Sequence, residues 1–320
     1  MEERQTVKGR VYKATGSWYT VRIEGTDRYI QARIKGKFRL EGFRLTNPVA
    51  VGDQVVVERI SAEEGVIKEI LPRKNYVVRQ SPRKKYHLHL IAANIDQAAL
   101  IVTIRYPNLK PGFIDRYLLM TEPYEIPVLI VFNKRDLYDE EDLEVYHYLS
   151  EIYTEIGYST MLLSARTGEG VEAFKEALKG KITLLGGQSG VGKSTLINAI
   201  APDLNLKTRE LSRHTGKGQH TTTFAEMFDL DFGATIIDTP GIKNLSFNHL
   251  DPQHVTDNFR EIFRYAQQCK FSNCTHRNEP ACAVKKAVEE GKISELRYVN
   301  YLTILDEVES QKAWERLDDM

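Results

Sequence analysis

ITLLGGQSGVGKSTLINAI, residues 182–200, is the stretch on which the fold turns. An apolar run of strand length at 182–186 leads into Gly187, Gln188, Ser189, Gly190, Val191, Gly192, Lys193, Ser194 and Thr195, and then into a helical pattern over 194–199. Strand, glycine-rich loop and helix in that order make a phosphate cradle. Glycine lets the backbone curl around an anion, and the free N–H groups of the following helix point at it. Lys193 is expected on the β- and γ-phosphates and Ser194 on Mg²⁺.

Working outward, Asp238-Thr239-Pro240-Gly241 closes the next apolar run. Asp238 is placed to hold a water of the magnesium, and the Gly241 N–H to touch the γ-phosphate. Upstream, Asn133-Lys134-Arg135-Asp136 follows the apolar run 128–132, and Ser164-Ala165-Arg166 ends the run 161–164. An Asp136 carboxylate can accept both N1–H and the exocyclic amine of guanine, which adenine does not offer together. Asn133 would steady the loops, the Lys134 stem would cover the ring, and Ser164-Ala165-Arg166 would offer a backbone N–H to guanine O6. These base-reading motifs precede the phosphate loop, the reverse of ordinary GTPases. A sheet needs its strands adjacent in space rather than in chain order, so the pattern predicts a circular permutation with the old ends joined through residues 168–181.

The position after Gly241 is Ile242, where many small GTPases place a water-orienting glutamine. His220 in the polar segment 205–223 is the nearest group able to position that water, its competing role being RNA contact or loop packing. The Thr221–Thr223 run supplies a candidate magnesium hydroxyl.

Around this centre, apolar runs at 98–104, 128–132, 161–164, 182–186 and 235–238 alternate with helical patterns at 113–122, 140–156 and 171–178, which reads as a mostly parallel α/β sheet. Short β-type runs at 9–15, 18–24, 28–34, 54–60 and 65–70 predict a five-stranded N-terminal barrel of the oligonucleotide-binding type, a purely scaffolding barrel being the alternative. The expected divisions are barrel 1–72, linker 73–90, α/β unit 91–247 and a helical unit 248–320 with helices at 255–268, 281–290 and 294–312. The net charge of zero hides a segregation: residues 1–90 hold 19 Lys/Arg against 10 Asp/Glu, and residues 91–244 hold 15 against 21. A basic module beside an acidic engine suits a polyanionic partner. No stretch has the length and apolarity of a membrane span, the N-terminus lacks a secretory core, and three cysteines are too few for a disulfide framework. The expectation is a cytoplasmic monomer.

Those cysteines form Cys269-x4-Cys274-x-His276-x5-Cys282, four soft or borderline donors within fourteen residues. The set fits one closed, structural Zn²⁺ site.

The N-terminal barrel, NKRD, SAR, GQSGVGKS, GQHTTT, DTPG and the cysteine cluster together resemble the RsgA family, also called YjeQ, of circularly permuted GTPases, over nearly the whole chain. The resemblance implies an OB-fold N-terminal domain and a zinc-containing C-terminal domain. It also implies hydrolysis of GTP to GDP and phosphate during late maturation of the 30S ribosomal subunit, stimulated by that subunit and accompanied by contact with 16S rRNA. It selects Thr222 among the three threonines for magnesium. GQHTTT departs from the more frequent GRHTTT and loses an arginine. The alternative function is an RNA-binding assembly scaffold with a nucleotide-sensing pocket and little turnover.

Overall fold

The computed structural model describes residues 5–34, 47–80, 88–110, 112–204, 225–239 and 250–318. The first five strands, β1 (Thr6–Ala14), β2 (Tyr19–Ile23), β3 (Tyr29–Ile34), β4 (Gln54–Arg59) and β5 (Glu64–Ile70), run in the order β1-β2-β3-β5-β4 and close through a β1–β4 pairing. Only β3 and β5 pair in parallel, the remaining barrel pairs being antiparallel. Alternation explains the closure: Val11, Val21, Ile30, Ala32, Val55, Val57 and Ile67 point inward, and all are almost fully buried.

Residues 73–90, expected as a linker, instead contribute strands β6 (Tyr76–Gln80) and β7 (Leu88–Ala93), an antiparallel pair bridged to the barrel at Val51–Ala92. The prolines and cations of this stretch suggest a connector. The physical reason for the difference is burial of Val78, Leu88 and Leu90 against Ala50 and Tyr124. Arg73 anchors the entry, since its Nε and Nη2 donate to the fully buried Asp53 carboxylate at 2.6 and 2.7 Å.

The α/β unit follows as β8 (Gln97–Val102), α1 (Phe113–Thr121), β9 (Val128–Phe132), α2 (Glu140–Glu155), β10 (Ser159–Leu162), α3 (Val171–Leu178), β11 (Ile182–Gly187), α4 (Lys193–Ile200), β12 (Glu226–Leu230) and β13 (Ala234–Asp238). Strand order is β10-β9-β8-β11-β13-β12, parallel except for β12. β8 and β9 are buried along their whole length because helices cover both faces, which is why they read as unbroken apolar runs. α3 and α4 supply Phe174, Leu178, Leu196 and Ile197 to one face. On the other, α1 and α2 supply Tyr117, Leu118, Leu149 and Tyr153. β12 also meets β1 of the barrel at Lys13–Glu226, so the sheet is continuous with the barrel.

The C-terminal unit comprises α5 (Pro252–Asp257), α6 (Arg260–Ala266), α7 (Ala283–Glu289) and α8 (Glu295–Asp318). The single helix expected over 255–268 breaks at Phe259, whose extended backbone turns its ring inward onto Tyr301, centroids 5.4 Å apart, and under the Arg297 guanidinium at 4.5 Å. Arg297 itself is buried, donating to Asp115 of α1 at 2.5 Å and to both oxygens of Glu261 of α6 at 2.6 and 3.0 Å. Tyr153 and Asn300 complete the hydrogen bonding of Asp115. Among the described residues no helix is long and apolar enough to cross a membrane.

Replacing Arg297 by Met leaves two buried carboxylates without their cation. The expected cost is about 3–5 kcal/mol, confined to the seam between α1 and α8. Hydrogen exchange of the α6 and α8 amides should accelerate accordingly, and unchanged protection there would show that the triad does not hold the seam.

Candidate functional site

A parallel sheet delivers the C-terminal ends of its strands to one edge, and here β9, β10, β11 and β13 end together. The loops leaving them carry Asn133–Asp136, Ser164–Arg166, Gly187–Ser194 and Asp238–Thr239. Motifs scattered over more than a hundred residues thus converge on one edge.

Asn133 holds three of the loops together. Its Nδ2 donates to Val191 O at 2.9 Å, and its Oδ1 accepts from Ala165 N at 2.9 Å. The side chain is buried, and its backbone O accepts from Tyr138 Oη at 2.8 Å, while that hydroxyl accepts from Ile104 N at 2.8 Å. Gly192 passes so close to this amide that a Cβ would stand 2.4 Å from Asn133 Nδ2, and its φ of +90° is one that side chains disfavour. Both facts require glycine at that position.

Lys134 adopts a left-handed backbone, φ 69°, which sends its side chain back over the pocket to donate to Gly190 O at 2.6 Å and to Tyr106 O. Burial lowers its pKa, with Asp136 opposing that shift. Asp136 is oriented by the Ser164 hydroxyl, which donates to Oδ1 at 2.6 Å, and Arg166 stands 3.9 Å from Oδ2. Between them lies a cavity of about 240 Å³ lined by Asn133, Lys134, Asp136, Ala165, Gly192 and Thr195. Of the Ser164–Arg166 turn, expected to offer a backbone N–H to guanine O6, the Ala165 N–H is engaged by Asn133 here.

On the phosphate side, Lys193 Nζ donates to Asp238 Oδ1 and to Thr239 O, and Thr239 Oγ1 donates to Leu185 O at 3.0 Å. Gly187, Gln188, Ser189, Gly190 and Val191 form the loop before α4, and Ser194 and Thr195 stand in its first turn. His220, Thr222 and Gly241 lie outside the described residues. Tyr138 and the Tyr106 carbonyl were not signalled by the sequence. Neither belongs to a motif, and only the folded loops reveal that they fix Asn133 and Lys134.

At the other end of the chain Cys269, Cys274, His276 and Cys282 place their donor atoms within 4.8 Å of one another. His276 Nδ1 is 3.6 Å from Cys269 Sγ and 3.5 Å from Cys282 Sγ, and those two sulfurs are 3.9 Å apart. A tetrahedron built on metal bonds of roughly 2.0–2.3 Å has edges of about 3.5–3.8 Å, so the donors fit a metal ion. Burial pushes the Cys274 thiol up to about 12, and ligation of a metal would require loss of that proton. The loop is tied by Glu279, whose carboxylate accepts from Thr275 N, Thr275 Oγ1 and Arg277 N at 2.6–2.9 Å. Burial opposes ionisation of Glu279, yet these bonds hold its pKa down at about 2.

Comparison with known proteins agrees with this geometry. A family model described as the RsgA GTPase matches residues 70–248, and one described as the RsgA N-terminal domain matches residues 8–67. The small ribosomal subunit biogenesis GTPase RsgA of Bacteroides fragilis is 50% identical over 308 residues, covering 96% of this chain and 98% of that protein. The crystal structure of YjeQ from Thermotoga maritima superposes with a TM-score of 0.75 at 38% identity, covering 95% of this chain and 99% of that one. That of YloQ, a circularly permuted GTPase, superposes with a TM-score of 0.71 at 30% identity, covering 97% and 98%. With the permuted order of its motifs and a likeness that spans all three units, the chain belongs to the RsgA GTPase family.

Proposed function

We propose that this protein hydrolyses GTP to GDP and phosphate during biogenesis of the small ribosomal subunit, with the 30S particle and its 16S rRNA as the stimulating partner. The observation that carries the nucleotide assignment is the Asn133 amide joining the Asp136 loop, the Ala165 turn and the phosphate loop into one pocket. A base entering the cavity meets the Asp136 carboxylate already aimed by Ser164, with the Lys134 stem along its edge. Ala165 N–H reaches guanine O6 by sharing its proton between that oxygen and Asn133. The amides of residues 187–194 and the Lys193 ammonium receive the phosphates, drawing Lys193 away from Asp238. Ser194, Thr222 and Asp238 would hold Mg²⁺, which supplies neutralising charge at the phosphates when bound. In the same reading the Gly241 N–H would contact the γ-phosphate and His220 would hold the attacking water. Support for the ribosomal partner comes from the relatives and from the basic barrel, where Arg33 stands over the half-exposed Trp18 ring at 5.8 Å.

In the same reading Cys269, Cys274, His276 and Cys282 bind one structural Zn²⁺, since three thiols and an imidazole fill a tetrahedron and leave no open position for catalysis. Elemental analysis of freshly purified, unchelated protein should find close to one equivalent of zinc. Cys282→Ser should lose it and loosen α7 and α8, while GDP affinity is kept. Less than a tenth of an equivalent in the unaltered protein would exclude the site.

Asp136→Asn should weaken GTP binding by about 1–3 kcal/mol and improve xanthosine triphosphate binding, because an amide complements the xanthine carbonyl. Lys193→Ala should weaken triphosphate binding without altering base preference. Calorimetric titration with both nucleotides decides between these outcomes, and unchanged discrimination in Asp136→Asn would remove it from base reading.

Phosphate release measured with and without purified 30S subunits tests the function directly, because a scaffold with a sensing pocket would show no stimulation. In single-turnover assays on saturating 30S, His220→Ala should retain GTP binding and cosedimentation yet lose a factor on the order of 10²–10⁴ in rate. An unaltered stimulated rate would remove His220 from the mechanism, and rescue by excess subunit would reassign it to binding.

A further inference from the structure

A second concave site lies away from the base pocket, where the barrel, the β6–β7 pair and the end of β13 meet. It is a cavity of about 150 Å³ whose wall includes Asn47, Ala50, Arg79, His89, Ala225 and Thr239. One water needs only about 10–15 Å³ of such space, so there is room for an oxyanion and its hydration. Arg79, on β6, projects its guanidinium here, and its Nε is buried without any hydrogen-bond partner. Among the described residues no carboxylate pairs with it, and none of those that line the cavity is acidic. Burial alone lowers the Arg79 pKa, and burial together with the Arg79 charge drives the neighbouring His89 down to about 4. A buried guanidinium N–H with no acceptor is a costly arrangement, and Arg79 Nε is one of the few buried polar side-chain atoms among the described residues that lack a partner.

The chain itself is a poor source of the missing anion. Segments 35–46, 81–87, 205–224 and 240–249 each adjoin a residue at or next to the cavity wall, namely Asn47, Leu88, Ala225 and Thr239. Together they contain twelve Lys and Arg but only two acids, Glu41 and Glu210. The segments that flank these wall residues in sequence are therefore rich in cations and poor in acids. The planar fork of arginine matches the paired oxygens of a phosphate group.

We propose that this cavity is a second phosphate-group site, distinct from the nucleotide loop, in which Arg79 holds one oxyanion, either a phosphodiester of a nucleic-acid strand or free phosphate. It shares Thr239 with the phosphate side of the nucleotide pocket, whose Lys193 donates to the Thr239 carbonyl. The proposal rests on the cavity and Arg79, not on the ribosomal assignment.

The test uses full-length protein saturated with GDP, which fills the nucleotide loop, in chloride buffer free of phosphate and sulfate. Inorganic phosphate should raise the melting temperature of the wild-type protein, and Arg79→Met should abolish that rise while melting no lower than wild type in phosphate-free buffer. The last point separates ligand binding from structure, because an arginine paired inside the protein would leave its partner exposed to loss when replaced. Arg79→Lys keeps the charge but not the fork and should weaken phosphate binding about tenfold with its fold intact. With a single-stranded RNA oligonucleotide, Arg79→Met should flatten the slope of log affinity against log salt by about 0.7, one phosphate contact. A response to both ligands assigns the site to a strand phosphate, and a response to inorganic phosphate alone assigns it to the free ion. No response to either, or a fall in phosphate-free melting temperature in Arg79→Met, overturns the proposal. Unaltered GDP affinity in both variants keeps the result separate from the nucleotide pocket.

Discussion

The Asn133 amide is the constraint around which the nucleotide pocket is built. It is the kind of side chain that can donate from one end and accept at the other, and it does both while almost fully buried. Its two partners lie 58 and 32 residues away in sequence, so only the sheet can bring them within reach. β9 sits beside β10, and β8 alone separates it from β11. An isosteric leucine would leave Val191 O and Ala165 N buried and unpaired, at about 1–3 kcal/mol for each. This geometry also makes the permutation harmless: the amide requires that the three loops be neighbours and is indifferent to the order in which the chain visits them. Tyr138, whose hydroxyl ties the Asn133 carbonyl to Ile104 at the end of β8, reinforces the same point.

On the phosphate side the organising pair is Lys193 and Asp238. Each is largely buried, with side chains 11% and 3% exposed, and each satisfies the other. Under the proposed function a triphosphate would compete for the ammonium and a divalent ion for the carboxylate. The energy released by either is reduced by what the pair loses, so the two ligands help one another most when they arrive together. The carbonyl of Thr239 joins this pair, and the same residue forms part of the wall beside Arg79. The end of β13 is thus common ground between the nucleotide pocket and the barrel side of the molecule.

The fold and the base-reading loops were legible because they obey local rules. Residues 182–200 announce strand, loop and helix through composition alone. β8 and β9 read as buried strands because both their faces are covered, and the helix Val171–Leu178 falls where its pattern places it. What stayed hidden depends on partners far away in sequence. The β6–β7 pair lies under prolines and cations that resemble a connector, and its stability comes from Tyr124 and Ala50. Helical periodicity continues straight through Phe259, whereas the chain breaks there to place that ring against Tyr301 and Arg297. Burial of Arg297 itself defies composition, since nothing near it in sequence reveals that Asp115 will be 2.5 Å away. Ala165 lines the cavity beside Asp136, and the capture of its N–H by Asn133 is a consequence of the folded loops that no local rule announces.

The three units are joined at elements that reach the phosphate loop by short paths. The barrel grips β12 through the Lys13–Glu226 ion pair at 2.9 Å and through Tyr12, whose hydroxyl donates to Asp229 at 2.7 Å. β12 pairs with β13, which ends in Asp238. From the other side, Arg297 of α8 holds Asp115, and two residues further along α1 the Tyr117 ring lies directly beneath the phosphate-loop strand. A Cβ on Gly186 would stand 2.4 Å from that ring. Tyr117 is fully buried, so any shift of α1 that follows α8 must either carry Gly186 with it or open a void beneath the loop. One short helix therefore carries both the anchor of the C-terminal unit and the floor of the phosphate loop. Packed, discrete contacts of this kind are the physical means by which occupancy of one unit biases another. In this molecule the barrel reaches β13 through β12, and the C-terminal unit reaches β11 through α1.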